Sequence, residues 1–150
     1  MSEKQPDASA HKPTAGPMPS LRMRVHRLLW SSIRVPLESE FRYTADEPLS
    51  VSVELHTQEG HAVAWLISRD LLYDGTQEPS GMGDVRLWPS VTDACPVVCM
   101  RLERRGMSVL LEMDLRQLKQ WLLETFGLVH RGTETDQVDW DAVVAGLVEG

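Results

Sequence analysis

Large apolar residues alternate with polar ones from Leu21 onward. Leu21, Met23 and Val25 interleave with Arg22, Arg24 and His26, which is the period of a half-buried β-strand. Ser50 to Thr57 repeats the pattern, with Val51, Val53 and Leu55 on one face and Ser52, Glu54 and His56 on the other. Gln58-Glu59-Gly60 reads as a turn into Ala62 to Ser68, where Val63, Trp65 and Ile67 share a face, so these two runs predict a hairpin. Asp84 to Trp88, Val97 to Glu103 and Met107 to Met113 are further β-rich runs, and Arg104-Arg105-Gly106 makes a tight join between the last two. With the less regular Ile33 to Tyr43 the chain offers about six or seven strands. Their short joins predict antiparallel pairing, because parallel neighbours need crossovers of about a dozen residues or more.

The period then switches. Asp114 is placed to cap a helix in which Leu115, Leu118, Leu122 and Phe126 form one apolar face, with Gln117 completing a capping-box-like pair and Gly127 as the C-cap. A second, shorter helix is predicted after Asp139, with Val143, Val144 and Leu147 on one face and Asp139 and Asp141 at its positive end. Strands first and helices last predict an α+β domain, a strand-rich antiparallel sheet or barrel followed by two C-terminal helices, not a βαβ fold.

Two stretches depart from these patterns. Met1 to Ser20 holds Pro6, Pro13, Pro17 and Pro19 and almost no large apolar side chain, so it is expected to be a disordered leader ahead of a domain spanning 21–150. In the first strand the alternation fails after Arg27, since Leu28 and Trp30 continue the face begun by Arg22, Arg24 and His26. Either a bulge resets the register, or two large apolar groups sit on a polar face and mark an oligomer interface.

A chain of 150 residues is sized for one domain, and 15 Lys plus Arg against 22 Asp plus Glu leave a net charge of −7, which disfavours nucleic acid as a partner. No apolar run approaches the roughly 20 residues of a membrane-spanning helix, and the start lacks the apolar core of a signal peptide. A cytoplasmic location is the expectation. Cys95 and Cys99 are too few for a disulfide framework and lack metal-motif spacing, and His26, His56 and His61 lie on separate runs. They read as ordinary thiols and surface or edge histidines.

Catalytic motifs are not apparent: there is no Gly-x-Ser-x-Gly elbow, His-Glu-x-x-His, P-loop or dinucleotide fingerprint, so no enzyme and no cofactor are expected. Ser80-Gly81-Met82-Gly83-Asp84 either lets backbone amides approach an anion or is a turn needing unusual φ values. It precedes a strand, so the anion reading lacks a helix dipole. Arg22, Arg24 and Arg27 form a possible basic face for single-stranded nucleic acid, but stacking aromatics are sparse beside them. Beyond Arg131 the charged residues, Glu134, Asp136, Asp139, Asp141 and Glu149, are all acidic, which suits head-to-tail association or a basic partner.

The run Arg69-Asp70-Leu71-Leu72-Tyr73-Asp74-Gly75, followed by Pro79-Ser80-Gly81-Met82-Gly83-Asp84-Val85-Arg86-Leu87-Trp88-Pro89-Ser90, resembles the SsgA-like family of sporulation and cell-division proteins in filamentous actinobacteria. That family carries a central block of the type R-D-L-L-x-x-G followed by P-x-G-x-G-D-V-R-x-W-P. Phe41-Arg42-Tyr43, His56-Thr57, Trp65 and Val97-Val98-Cys99 also look like the family, and the resemblance covers about Leu21 to Gly150. The motif residues Arg69, Asp70, Gly75, Pro79, Gly81, Gly83, Asp84, Arg86, Trp88 and Pro89 read as structural or interfacial. Asp70, Asp74 and Gly75 supply turn chemistry for a hairpin region, and Arg69, Asp84 and Arg86 are either a buried or interfacial polar network or ordinary surface charges.

The resemblance implies a non-enzymatic regulator or adaptor of sporulation-specific division. Such proteins act in septum-site selection, helping to localise the tubulin-like GTPase FtsZ, or direct septal peptidoglycan synthesis. It also implies a whirly-like fold assembled as a trimer, with FtsZ, other divisome or wall-synthesis proteins and related paralogues as partners. The whirly relatives bind nucleic acid, and a single-stranded nucleic-acid module is the alternative reading, although fold does not transfer function. The Pro-rich leader and the charge pattern of the tail, Gly132-Thr133-Glu134-Thr135 and Asp139-Trp140-Asp141, depart from better-known members and leave the particular partner open.

Overall fold

A computed structural model describes residues 19–30 and 33–134 of the chain. The strands are β1 (Ser20–Leu29), β2 (Ile33–Arg42), β3 (Ser50–His56), β4 (Ala62–Ser68), β5 (Val85–Thr92), β6 (Cys95–Arg104) and β7 (Met107–Asp114), with helix α1 (Arg69–Gly75) after β4 and α2 (Leu115–Leu128) after β7. All pair antiparallel in one sheet of order β4-β3-β2-β1-β7-β6-β5. The short connections impose this order, since each hairpin adds a strand beside its predecessor and, among the described residues, only β1–β7 is a non-local pairing.

The sheet curls. Arg104, at the turn closing β6, lies 4.2 Å over the Trp65 ring of β4, although β3, β2, β1 and β7 separate the two strands in the sheet. The alternation places Met23, Val25, Phe41, Val51, Val53, Leu87, Val98, Met100 and Leu111 on the concave face, where they form one buried core with Leu118, Trp121 and Leu122 of α2. Phe41 meets Trp121 edge-on at 6.0 Å, fixing the helix over the middle of the sheet. Asp114 caps α2 by accepting from the Gln117 amide at 2.9 Å. Trp121 and Thr125 join the predicted apolar face as buried residues.

The structure corrects the sequence reading in four places. Arg69 to Gly75 is not turn chemistry of a hairpin but a two-turn helix, capped by the Ser68 hydroxyl, which accepts from the Leu71 amide at 3.1 Å. Gly127 does not end α2: the helix runs to Leu128, and Val129 is drawn into the core while its amide still reaches the Thr125 carbonyl. No bulge interrupts β1, because its pairing with β2 is one-to-one from Ser20↔Arg42 to Leu29↔Ile33. Leu28 therefore sits on the polar face, whereas Trp30 lies in the turn beyond the strand, with φ of 52° and 85% exposed. The strand expected from Asp84 begins at Val85 and runs on to Thr92.

The leader's first eighteen residues and the second helix expected after Asp139 lie outside the described residues. Of the leader's end, the Pro19 carbonyl accepts from the Tyr43 amide and Ser20 already belongs to β1.

Candidate functional site

The family-like block folds into two adjoining pieces with different work. The first is an anchor. Arg69 opens α1 with no solvent exposure at all, its amide bonded to the Leu49 carbonyl and its guanidinium running under α2. Nη1 donates to the Thr125 carbonyl at 3.0 Å and Nη2 to the Glu134 carboxylate at 2.9 Å, while the guanidinium lies 4.3 Å from the Phe126 ring centre and 4.8 Å from that of Tyr43. A fully buried cation requires such compensation. Burial works against charge on Glu134, but the Arg69 hydrogen bond, its own amide, the Gly132 amide and the Arg69 charge outweigh it and hold the carboxyl below the usual carboxylate range. Burial pushes the Tyr43 phenol up.

Arg131 mirrors the arrangement at the surface, 3.0 Å from Asp70 and 2.9 Å from Asp74. Arg69 and Asp70 thus clamp α1 to the segment that follows α2, with Glu134 and Arg131 as reciprocal partners. Sequence reasoning missed Glu134, which it assigned to an acidic tail, and no local pattern marks it because its partner lies 65 residues away.

The second piece is a surface groove of about 550 Å³ lined by Pro79, Ser80, Gly81, Arg86, Leu87, Trp88, Pro89 and Arg101. The chain after α1 folds back so that Ser80 and Leu87 exchange both backbone hydrogen bonds, at 2.8 and 2.9 Å, building a wall along the outer edge of β5. Gly81 permits this approach: at its φ of +100° a Cβ would fall 2.3 Å from the Val85 carbonyl oxygen. Gly75 packs similarly, since a Cβ there would lie 2.5 Å from Leu87 Cβ. Gly83, also at positive φ, faces open space.

Arg69 does not share a network with Asp84 and Arg86, as the second alternative for these charges allowed. Arg69 is buried beneath α2, whereas Asp84 and Arg86 are exposed at β5. Nor do Arg22, Arg24 and Arg27 form one basic face. Arg22 and Arg24 point outward and pair with Glu40 at 3.5 Å and Glu38 at 3.1 Å, while Arg27 follows Val25 onto the opposite side. Glu40 also accepts from Arg42 at 2.8 Å, and that bond, against the cost of burial and with help from Arg22, holds its carboxyl low.

On the outer face further along, Glu112 is buried beside Arg34 at 3.0 Å, with Thr92 donating to it at 3.3 Å. Cys99 is its neighbour in register, and burial with the nearby Glu112 charge raises the thiol's pKa. Among the described residues no three His, Cys, Asp or Glu side chains converge as a metal site, and no helix is long and apolar enough to cross a membrane.

Comparison with known proteins agrees with the motif. Residues 37–134 match the family described as Streptomyces sporulation and cell division protein, SsgA. Sporulation-specific cell division protein SsgB of Streptomyces coelicolor is 34% identical over 129 residues, covering 86% of this chain and 94% of that protein. SsgB of Frankia casuarinae is 34% identical over 116 residues, or 77% and 81% of the two chains. A solved structure reported with SsgB mutations that correlate to longitudinal cell division during sporulation of Streptomyces coelicolor superposes with a TM-score of 0.77 at 33% identity, covering 80% of this chain and 94% of that one. The crystal structure of an SsgA-like sporulation-specific cell division protein from Thermobifida fusca gives the same TM-score, 0.77, at 27% identity over 88% and 96%. The family match over residues 37–134 and the likeness to SsgB over most of both chains show that the chain belongs to the SsgA family of sporulation and cell division proteins.

Proposed function

We propose that this protein is a non-enzymatic adaptor of sporulation-specific cell division, cytoplasmic and recruited to septa, where it acts in septum-site selection or in control of septal peptidoglycan. Its partners on this reading are FtsZ, other division or wall-synthesis proteins and SsgA-like paralogues. The observation that carries the reading is likeness to SsgB over 86% of the chain, with the R-D-L-L-x-x-G and P-x-G-x-G-D-V-R-x-W-P block intact. The physics of that block supports it: Arg69, Asp70 and Gly75 fix α1, and Pro79, Gly81, Arg86, Trp88 and Pro89 shape an exposed groove suited to contact with another protein.

The reading includes self-association, with three copies by resemblance, through Leu28 and Trp30. An indole 85% exposed on a left-handed backbone is costly in an isolated domain, and burying it against a second copy offsets that cost. A nucleic-acid role draws little support from this geometry, because Glu40 and Glu38 engage two of the three guanidiniums it would use.

The test is binding of the purified full chain to purified FtsZ and to its paralogues on a biosensor surface, beside septation in a strain lacking the gene. Saturable binding to one of them and misplaced or missing septa are expected. No binding to any of them together with normal septation contradicts the proposal.

A further inference from the structure

We infer that the groove of the family block is a docking site for an acidic, extended peptide segment of a partner protein, read by Arg86 and Arg101 as a pair. The inference rests on the adaptor reading and names the surface that would serve it. Arg86 of β5 and Arg101 of β6 stand directly opposite each other in the register, on the outer face of the sheet. Like charges in that position repel, so an anion placed between the two guanidiniums relieves the pair. Among the described residues Arg86 has no carboxylate at ion-pair distance, and Arg101 has only a long contact with Glu103 at 3.6 Å, both groups partly open to solvent. Glu103 is a weak competitor, since exposed pairs of this length hold little energy.

The shape agrees with the charge. Two guanidinium forks side by side match carboxylates two residues apart on an extended chain, each taken in a two-bond grip. Trp88 lies two residues from Arg86 on the same face, and Pro79 and Pro89 supply rigid apolar walls, so an aliphatic or proline residue beyond the acids has a surface to cover. In the next lateral step Arg101 pairs with Leu110, extending an apolar surface away from the arginines. The occupant is therefore a segment with paired acids followed by an apolar residue. It does not enter by adding a strand, because Ser80 already occupies the free edge of β5 at Leu87 and Pro89 offers no amide further on.

The experiment titrates the full chain into a fluorescein-labelled twelve-residue peptide of repeated Asp-Leu-Glu-Pro and follows anisotropy at about 50 mM salt, where screening is weak. Saturable binding is expected, with loss of about tenfold or more in affinity for Arg86→Gln and for Arg101→Gln, as befits removal of a charge-assisted grip. Arg22→Gln and Arg24→Gln retain full affinity, and an Asn-Leu-Gln-Pro peptide does not bind. Absence of saturable binding, or binding unchanged in both groove variants, overturns the inference. So does displacement of the peptide by a single-stranded oligonucleotide that binds more tightly, which assigns the groove to nucleic acid. In cells the two readings separate: if the wild-type protein reaches septa and the Arg86→Gln, Arg101→Gln variant supports normal septation, the groove assignment fails while the adaptor stands. If the wild type itself never reaches septa, the adaptor reading fails.

Discussion

The Arg69 guanidinium donates to the Glu134 carboxylate across 2.9 Å, and neither side chain is open to solvent, at 0% and 6% exposure. Removing one member leaves the other buried and uncompensated, which costs about 3–5 kcal/mol, far more than the net worth of the pair. Arg69→Ala is expected to lower the unfolding free energy by that amount. Arg69→Met combined with Glu134→Leu, which removes both charges and keeps the volume, is expected to cost less than Arg69→Ala alone. Urea unfolding of the three proteins checks this.

The same pair sets an acid limit. Glu134 has a folded pKa below its ordinary 4.5, so its contribution is fully present above that value and is lost as pH falls through the folded pKa. Denaturation midpoints measured between pH 7 and pH 3 are expected to fall less steeply below about 4.5 in Glu134→Gln than in the parent, from a lower starting stability.

Much of the fold was legible, and the reason is physical. Strands such as Val51-Ser52-Val53-Glu54-Leu55 and the helix from Leu115 each bury one face against a single core, so their periods appear in the chain itself. Helix α1 was not legible, because seven residues give too little periodicity to outweigh Asp70, Asp74 and Gly75, which are turn formers by habit. Its stability comes from tertiary clamps at Arg69 and Arg131 that no local window contains. The motif residues were visible as a set, but their division into a buried anchor and an exposed groove depends on the fold-back at Ser80, which sequence spacing does not encode.

Gly81 and Gly83, both at positive φ in the fold-back before β5, are expected to respond differently to substitution. Gly81→Ala meets the Val85 carbonyl as well as backbone strain and is expected to cost more than the ~1–3 kcal/mol that strain alone commands. Gly83→Ala meets only the strain, and Gly83→Asn, which tolerates positive φ, is expected to be milder still. Thermal unfolding of the three variants ranks them.

Leu28→Ser with Trp30→Ser is expected to leave the fold intact and reduce the assembly to a species near the 16.9 kDa of one chain. Light scattering on the eluting protein measures it, and an unchanged mass contradicts the assignment of these two residues to the interface.

The two thiols are expected to differ in reactivity. Cys95 is exposed, while Cys99 is buried beside Glu112 with its thiol shifted towards higher pKa. One equivalent of a thiol reagent is expected to react rapidly near pH 7.5, with the second released only on unfolding. Rapid reaction of both in the native protein contradicts the burial of Cys99 beside Glu112.

The most direct measurement of the central claim is fluorescence microscopy of a tagged copy in a sporulating host, beside a strain in which the gene is deleted. The adaptor account predicts foci or ladders at septa and a septation or spore-wall defect in the deletion strain. Diffuse or nucleoid-associated fluorescence together with normal septa would contradict it.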